Sequence, residues 1–135
     1  MPQYWLLKTE PSDYSYSDLE KDKTTVWDGV SNNLALKHLR NVKKGDLAFI
    51  YHTGKEKALV GVAEVTSDPY PDPREEDAKL VVANIRAKQK LKCHVSLAEL
   101  KSDARFSDFA LVRLPRLSVM PLTKTQWEDL LGLAK

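Results

Sequence analysis

The sequence holds one cysteine, five glycines and three histidines in 135 residues, and each scarcity removes a class of chemistry. Cys93 alone forms no intrachain disulfide and no cysteine zinc cluster. With no activating base beside it in the sequence, it reads as a buried or half-buried bystander. The glycines are scattered, so there is no glycine-rich phosphate loop, no dinucleotide fingerprint and no nucleophile elbow. His38, His52 and His94 stand apart, without metal-ligand spacing, and read as surface or hydrogen-bonded core residues. No apolar run approaches the roughly 20 residues of a membrane span. The opening MPQYWLLKTEP has no basic leader and breaks its short apolar run at Lys8 and Glu10. These features lead us to expect an intracellular, cytoplasmic protein with no metal, no cofactor and no membrane partner.

A strong charge of one sign is also missing. Twenty-one Lys and Arg stand against nineteen Asp and Glu, a net charge of +2, far from the balance of proteins that grip long phosphate tracts. The distribution is more informative than the sum. Lys37, His38, Arg40, Lys43 and Lys44 form one basic stretch, Lys88, Lys90 and Lys92 alternate along another, and Asp68 to Asp77 is acidic. Such runs are solvated faces that leave room for a modest phosphate-contacting surface, for which Lys37, Arg40, Lys43 and Lys44 are the candidates.

What is present is an ordinary core, with 42% hydrophobic and 30% charged residues in a chain of one-domain length. Tyr4 to Leu7 reads as a buried strand ended by Glu10-Pro11. Ser15 or Ser17 caps a brief helix through Glu20 and Lys21. From Ser31, Leu34, Ala35, Leu36 and Leu39 suit one stripe of a helix that stops near Asn41. Asp46–His52 and Ala58–Thr66 read as a hairpin, with Gly61 marking a bulge or the close approach of another backbone. Leu80 to Leu91 alternates as a half-buried strand with a basic outer face. Ser96 and Glu99 form a capping box for a short helix. Leu111 to Val119, interrupted by Pro115, reads as an edge or bent strand. Thr123 to Leu133 makes a final helix burying Trp127, Leu130 and Leu131. Strands and short helices without βαβ alternation place the chain in the α+β class, as a mixed sheet or small barrel.

The stretch Trp27-Asp28-Gly29-Val30-Ser31-Asn32-Asn33 sets a large aromatic beside a turn glycine and a polar cluster. A flat apolar face next to amide donors and acceptors suits a planar ring: stacking supplies on the order of 1–3 kcal/mol per base in nucleic-acid binders. A tryptophan beside Asp-Gly equally serves as a core or turn residue.

Together, YWLLKTEP at 4–11, WDGVSNNLA at 27–35, GDLAFIYHTG at 45–54, VGVAEV at 60–65, YPDP at 70–73, VSLAELK at 95–101 and LPRLSVMPLT at 114–123 resemble the EVE domain, in order and nearly end to end. The resemblance implies a single EVE domain over residues 1–135, with a PUA-like, strongly curved mixed β-barrel surrounded by short helices. It also implies a nucleic-acid partner, DNA or RNA, and a non-enzymatic reader of a modified base, notably modified cytosine in DNA. Carried over position by position, the implied ligand residues are Lys8 and Ser12; Trp27, Val30, Ser31 and Asn32; Tyr51, His52 and Thr53; and Arg116, Leu117 and Ser118. Trp27 and Tyr51 suit stacking on or walling a flipped base, Ser31 and Asn32 its polar edge, and Lys8 and Arg116 a phosphate or carbonyl. Many members read Trp-Asp-Gly-Val-Arg-Asn-Tyr-Gln-Ala where this chain has Ser31, Asn33 and Leu34, which removes a guanidinium, an aromatic ring and an amide. Two rival readings are an enzyme acting on nucleotides or modified nucleosides, with Lys8 and Tyr51 or His52 as a proton-transfer set, and a protein-interaction barrel.

Overall fold

Tyr4-Trp5-Leu6-Leu7 is apolar at consecutive positions, the pattern of a strand buried on both faces. In the computed structural model, which describes residues 2–77 and 79–135, this run forms β1 (Tyr4–Thr9), with Trp5, Leu6 and Leu7 buried. Its neighbours are β3 (Leu47–His52), parallel to it, and β7 (Val119–Leu122), antiparallel. The expected hairpin is present as β3 and β4 (Ala58–Val65). The basic strand is longer than expected: β6 runs Val81–Ser96. The remaining strands are β2 (Thr24–Trp27) and the two-residue β5 (Tyr70–Pro71), both antiparallel to β6.

The mixed sheet has the order β2-β6-β4-β3-β1-β7, with β5 on β6. Helix α2 (Asn33–Leu39), capped by the Asn32 side chain, buries Ala35, Leu36 and Leu39. It packs against β6 and β7, which lie near opposite ends of the strand order. The sheet therefore curves around its core, and α2 fills the space between its ends. The α+β class holds, but among the described residues the hydrogen-bonded path stays open rather than closing as a barrel.

Two packing contacts set the shape. β4 and β6 slip register between Leu59 and Gly61: two positions along β4 match five along β6. There, Tyr16 of α1 (Tyr16–Asp22) lies over Gly61, where an added Cβ would stand 2.3 Å from the ring. The Tyr16 hydroxyl donates to the Val62 carbonyl at 2.7 Å. Gly61 thus marks a bulge, and the group that approaches it is the Tyr16 side chain rather than another backbone. At the other end, α5 (Lys124–Leu133) places Trp127 against Tyr4 and Phe49, with ring centroids 4.8 and 4.2 Å away.

The buried Asp46 carboxylate ties the starts of β1 and β3. Its Oδ1 accepts from the Gln3 N–H at 3.0 Å, and its Oδ2 accepts from the Trp5 indole N–H at 2.8 Å and the Lys43 N–H at 2.9 Å. Its backbone carbonyl accepts from Val65, at the end of β4. Three donors on one carboxylate satisfy a charge that burial alone would penalise.

Several expectations are corrected. Leu111–Val119 is not a strand: Ala110–Arg113 is helix α4, preceded by a 3-10 turn at Ala104–Phe106, and the strand starts at Val119. Phe106, Phe109 and Leu111 are buried, and Pro115 ends the helix by restricting Leu114. Leu34 is off the buried stripe of α2, 42% exposed. At about 100° per residue it points roughly 150° from the centre of Ala35, Leu36 and Leu39. Leu131 is half-buried rather than core, and Cys93 is exposed. Of the core and turn roles open to Trp27, it takes the core one, at the end of a strand. α1 uses Ser15 as its cap, in a box with Asp18, and α3 (Leu97–Lys101) uses Ser96 and Glu99.

Two substitutions test this packing. Asp46→Ala strands the Trp5 indole and two backbone N–H groups. It should lower stability by about 3 kcal/mol, seen as a lower urea midpoint at unchanged slope. Gly61→Ala should cost about 1–3 kcal/mol by overpacking Tyr16, and a midpoint equal to that of the native chain would contradict the close approach.

Candidate functional site

At the carboxyl end of β1 lies a cavity of about 450 Å³, walled by Lys8, Thr9, Tyr14, Thr25, Trp27 and Ser118, with residues 28–30 and Val26 at its side and Asp13 at its rim. Each wall follows from strand geometry. Lys8 pairs across from Tyr51 of β3, and its N–H donates to the Ser118 carbonyl at 2.9 Å. Its ammonium donates to the Pro115 carbonyl at 2.8 Å and sits 5.6 Å from the centroid of the Tyr51 ring. Partial burial lowers the Lys8 pKa from the ordinary lysine value, and burial likewise raises that of the Tyr51 phenol.

Trp27 closes β2 opposite Ala83 of β6. It is 7% exposed, so the indole belongs to the core and still forms one wall. Thr25, two positions earlier, falls on the same face by the period of a strand. The chain then turns at Gly29, whose φ of 76° favours glycine. Asp28 is bonded to the Arg74 guanidinium, which also reaches Asp72 through Nε at 3.2 Å. Arg74 holds the Asp72 carboxyl below its usual value, and the two acids raise the Arg74 pKa in turn. The network anchors the 28–30 turn to residues 72–74. Across the cavity, the Tyr14 hydroxyl donates to Asp22 at 2.9 Å and the Thr9 hydroxyl to the Tyr14 carbonyl at 2.6 Å.

The residues singled out in the sequence separate into groups. Lys8, Trp27, Val30 and Ser118 share the cavity. Asn32, Arg116 and Leu117 line an adjoining groove of about 330 Å³ with Leu34, Arg113, Leu114 and Pro115. Ser31, exposed, joins the two in sequence. Asn32 commits its side-chain oxygen to the Ala35 N–H at 3.0 Å as the cap of α2, which leaves its amide donors outward. Arg116 is exposed and Leu117 buried.

Tyr51 is buried beneath Lys8 and does not line the cavity. His52 is committed to the fold: Nε2 accepts from the Tyr16 N–H at 3.0 Å, so the ring is neutral there, and Nδ1 donates to Glu56. Neither Lys8 nor Tyr51 is among its bonded partners in the described residues. The Ser12 and Thr53 hydroxyls both donate to Glu10, at 3.1 and 3.0 Å, and depress the Glu10 pKa, that of Ser12 contributing most. Lys37 and Arg40 are exposed on and after α2, and Arg40 donates to the Lys79 carbonyl at 2.9 Å. Lys43 and Lys44 lie beside Pro2 and Gln3, at the opposite end of β1 from the cavity. Six residues of strand put that end roughly 17 Å away.

Sequence reasoning missed Thr9, Tyr14 and Thr25. The signal available was Thr24-Thr25-Val26-Trp27, a β-branched run ending in an aromatic, which is strand chemistry. Tyr14 and Thr9 carry no local signature.

The geometry provides two aromatic side chains, one ammonium, several hydroxyls and a backbone turn around a volume suited to a small planar ligand. Human thymocyte nuclear protein 1 is 29% identical to this chain over 167 aligned positions, covering 98% of this chain and 74% of that protein. Among solved structures, Rpa0253 of Rhodopseudomonas palustris superposes with a TM-score of 0.93 at 37% identity, over 98% of this chain and 92% of that one. The human THYN1 protein, solved in complex with DNA containing 5-methylcytosine, superposes with a TM-score of 0.90 at 29% identity, over 98% of each chain. The sequence model of the EVE domain family matches residues 3–133, and the chain belongs to that family.

Proposed function

We propose that the cavity between β1, β2 and residues 114–118 receives a modified base, 5-methylcytosine or a near relative, turned out of DNA. The observation that carries this reading is the pairing of the Trp27 wall with the Lys8 ammonium in one cavity, in a fold shared with a human protein solved with 5-methylcytosine DNA. Trp27 supplies the flat apolar face against which the ring stacks. Lys8, already turned toward carbonyl oxygen at Pro115, is placed to exchange that partner for the carbonyl of a base. Ser118, Thr25 and the turn backbone at 29–30 meet the polar edge. Asn32 offers amide donors at the rim, and Arg116 offers a guanidinium to a phosphate.

The remaining candidates take supporting parts. Tyr51 lies under the Lys8 ammonium, while Ser12, His52 and Thr53 brace the segments that end β1 and begin α1. Lys37 lies on the α2 side and suits a phosphate contact. Lys43 and Lys44 lie too far away to touch the same nucleotide. The site is read as one for binding rather than turnover. Its Thr9 hydroxyl is engaged as donor to the Tyr14 backbone carbonyl, which is no base to activate it as a nucleophile.

Binding of short single-stranded DNA containing one 5-methylcytosine, against the same strand with cytosine, tests the reading. The native chain should prefer the modified strand. Trp27→Ala should weaken binding to the modified strand about tenfold, the loss of one stacking contact, and remove most of the preference. Trp27→Phe, which keeps more of the core volume, should lie between. Lys8→Gln should also weaken binding, whereas Lys43→Gln should leave the preference unchanged. Equal affinity of the native chain for both strands would contradict the reading.

A further inference from the structure

Among the described residues, three large apolar side chains stand out to water: Val26 at 43% exposure, Leu34 at 42% and Leu114 at 46%. They are not scattered. Val26 borders the base cavity, and Leu34 and Leu114 line the adjoining groove. Isolated apolar residues on a surface need no explanation, but a cluster beside a binding cavity marks a contact surface.

The groove and the cavity are built from the same two segments. Residues 28–30 wall the cavity and lead through Ser31 to Asn32 and Leu34 in the first turn of α2. On the other side, Leu114, Pro115, Arg116 and Leu117 form a turn closed by the Leu117 N–H donating to the Leu114 carbonyl at 3.0 Å. The Pro115 carbonyl of that turn accepts the Lys8 ammonium, and Ser118, which follows it, lines the cavity. Pro115 fixes the backbone of the turn, so Leu114 is presented from a stiff support.

Charge flanks the apolar pair. Arg113 and Arg116 both line the groove and are exposed. Arg113 is 3.6 Å from Asp108, itself almost fully exposed, and Arg116 has no acidic partner among the described residues. Two exposed leucines and two guanidinium groups on one groove complement a base stack and its phosphates. A base taken out of a duplex leaves a gap whose unstacking costs a few kcal/mol, and apolar side chains inserted between base steps recover part of that cost.

We propose that Leu34 and Leu114 form a wedge that enters duplex DNA at the site vacated by the base, with Arg113 and Arg116 on the flanking phosphates. This rests on the reading of the cavity as a base site and adds a role for the two exposed leucines, which that reading does not use. The wedge acts on the duplex form, since a single strand has no stack to open.

The test compares one DNA sequence with a single 5-methylcytosine as duplex and as single strand. The double variant Leu34→Ala with Leu114→Ala should lose on the order of tenfold affinity for the duplex and less than about threefold for the single strand. Leu34→Gln with Leu114→Gln, which keeps length but not apolarity, should behave alike. 2-Aminopurine placed beside the 5-methylcytosine should brighten when the native chain binds the duplex and stay dim with either double variant. Duplex affinity untouched by the leucine variants, or equal loss on both forms, overturns the wedge while the preference for modified single strands stands. Equal affinity of the native chain for modified and plain single strands removes the base reading and the wedge with it.

Discussion

β1 and β3 are parallel, so no hairpin turn sets their register, and a slip of one residue would turn every side chain of β1 to the other face. The Asp46 carboxylate prevents that slip. It holds the Gln3 N–H and the Trp5 indole on one side and the Lys43 N–H on the other, which fixes Tyr4 opposite Leu47 and, five residues on, Thr9 opposite His52. With that register, Leu7 goes into the core and Lys8 points to the cavity. The cationic wall of the site is therefore decided at the far end of the strand that carries it.

The other walls are held with comparable economy. β7 pairs with β1, which brings the 114–118 turn to Lys8. Trp27 is placed by β2 on β6, and the following turn is tied down by Asp28, Arg74 and Asp72. The aromatic wall and the ammonium thus arrive on different strands, through pairings of long sequence separation. The gap between the sheet ends is filled by α2, whose cap Asn32 and exposed Leu34 face outward beside the cavity. One curved sheet and one helix give a recess with apolar, cationic and hydroxyl groups on separate sides, the combination expected for a heterocyclic base with a phosphate nearby.

The sequence made local structure legible. β1 announced itself as an apolar run, β3 and β4 as a hairpin, the helices after Ser15 and Ser96 through their capping residues, and the last helix through its apolar stripe. What it concealed depended on distant partners. β2 is four residues long and half exposed, and its pairing partner begins more than fifty residues later, so its pattern was too short to stand out. α4 was hidden because Leu111, Val112 and Leu114 suit a strand as well as a helix, and only the packing of Phe106 and Phe109 decides. Among the residues that line the cavity, Lys8, Trp27, Val30 and Ser118 were named because the family motif carries them. Thr9, Tyr14 and Thr25 were not, because nothing local marks a hydroxyl that becomes a cavity wall by folding. Tyr51 and His52 were implied as ligand groups by the family motif; the fold uses one beneath Lys8 and spends both ring nitrogens of the other on Tyr16 and Glu56.

Nitrogen–proton correlation NMR of the chain, titrated with a short single strand carrying one 5-methylcytosine, tests most directly whether the cavity at the end of β1 takes the base. The Trp27 indole N–H and the Gly29 and Val30 amide signals should move together and saturate, while those of Lys43 to Asp46 stay in place. Saturating shifts confined to Lys43–Asp46, with the Trp27 indole signal unmoved, would contradict it.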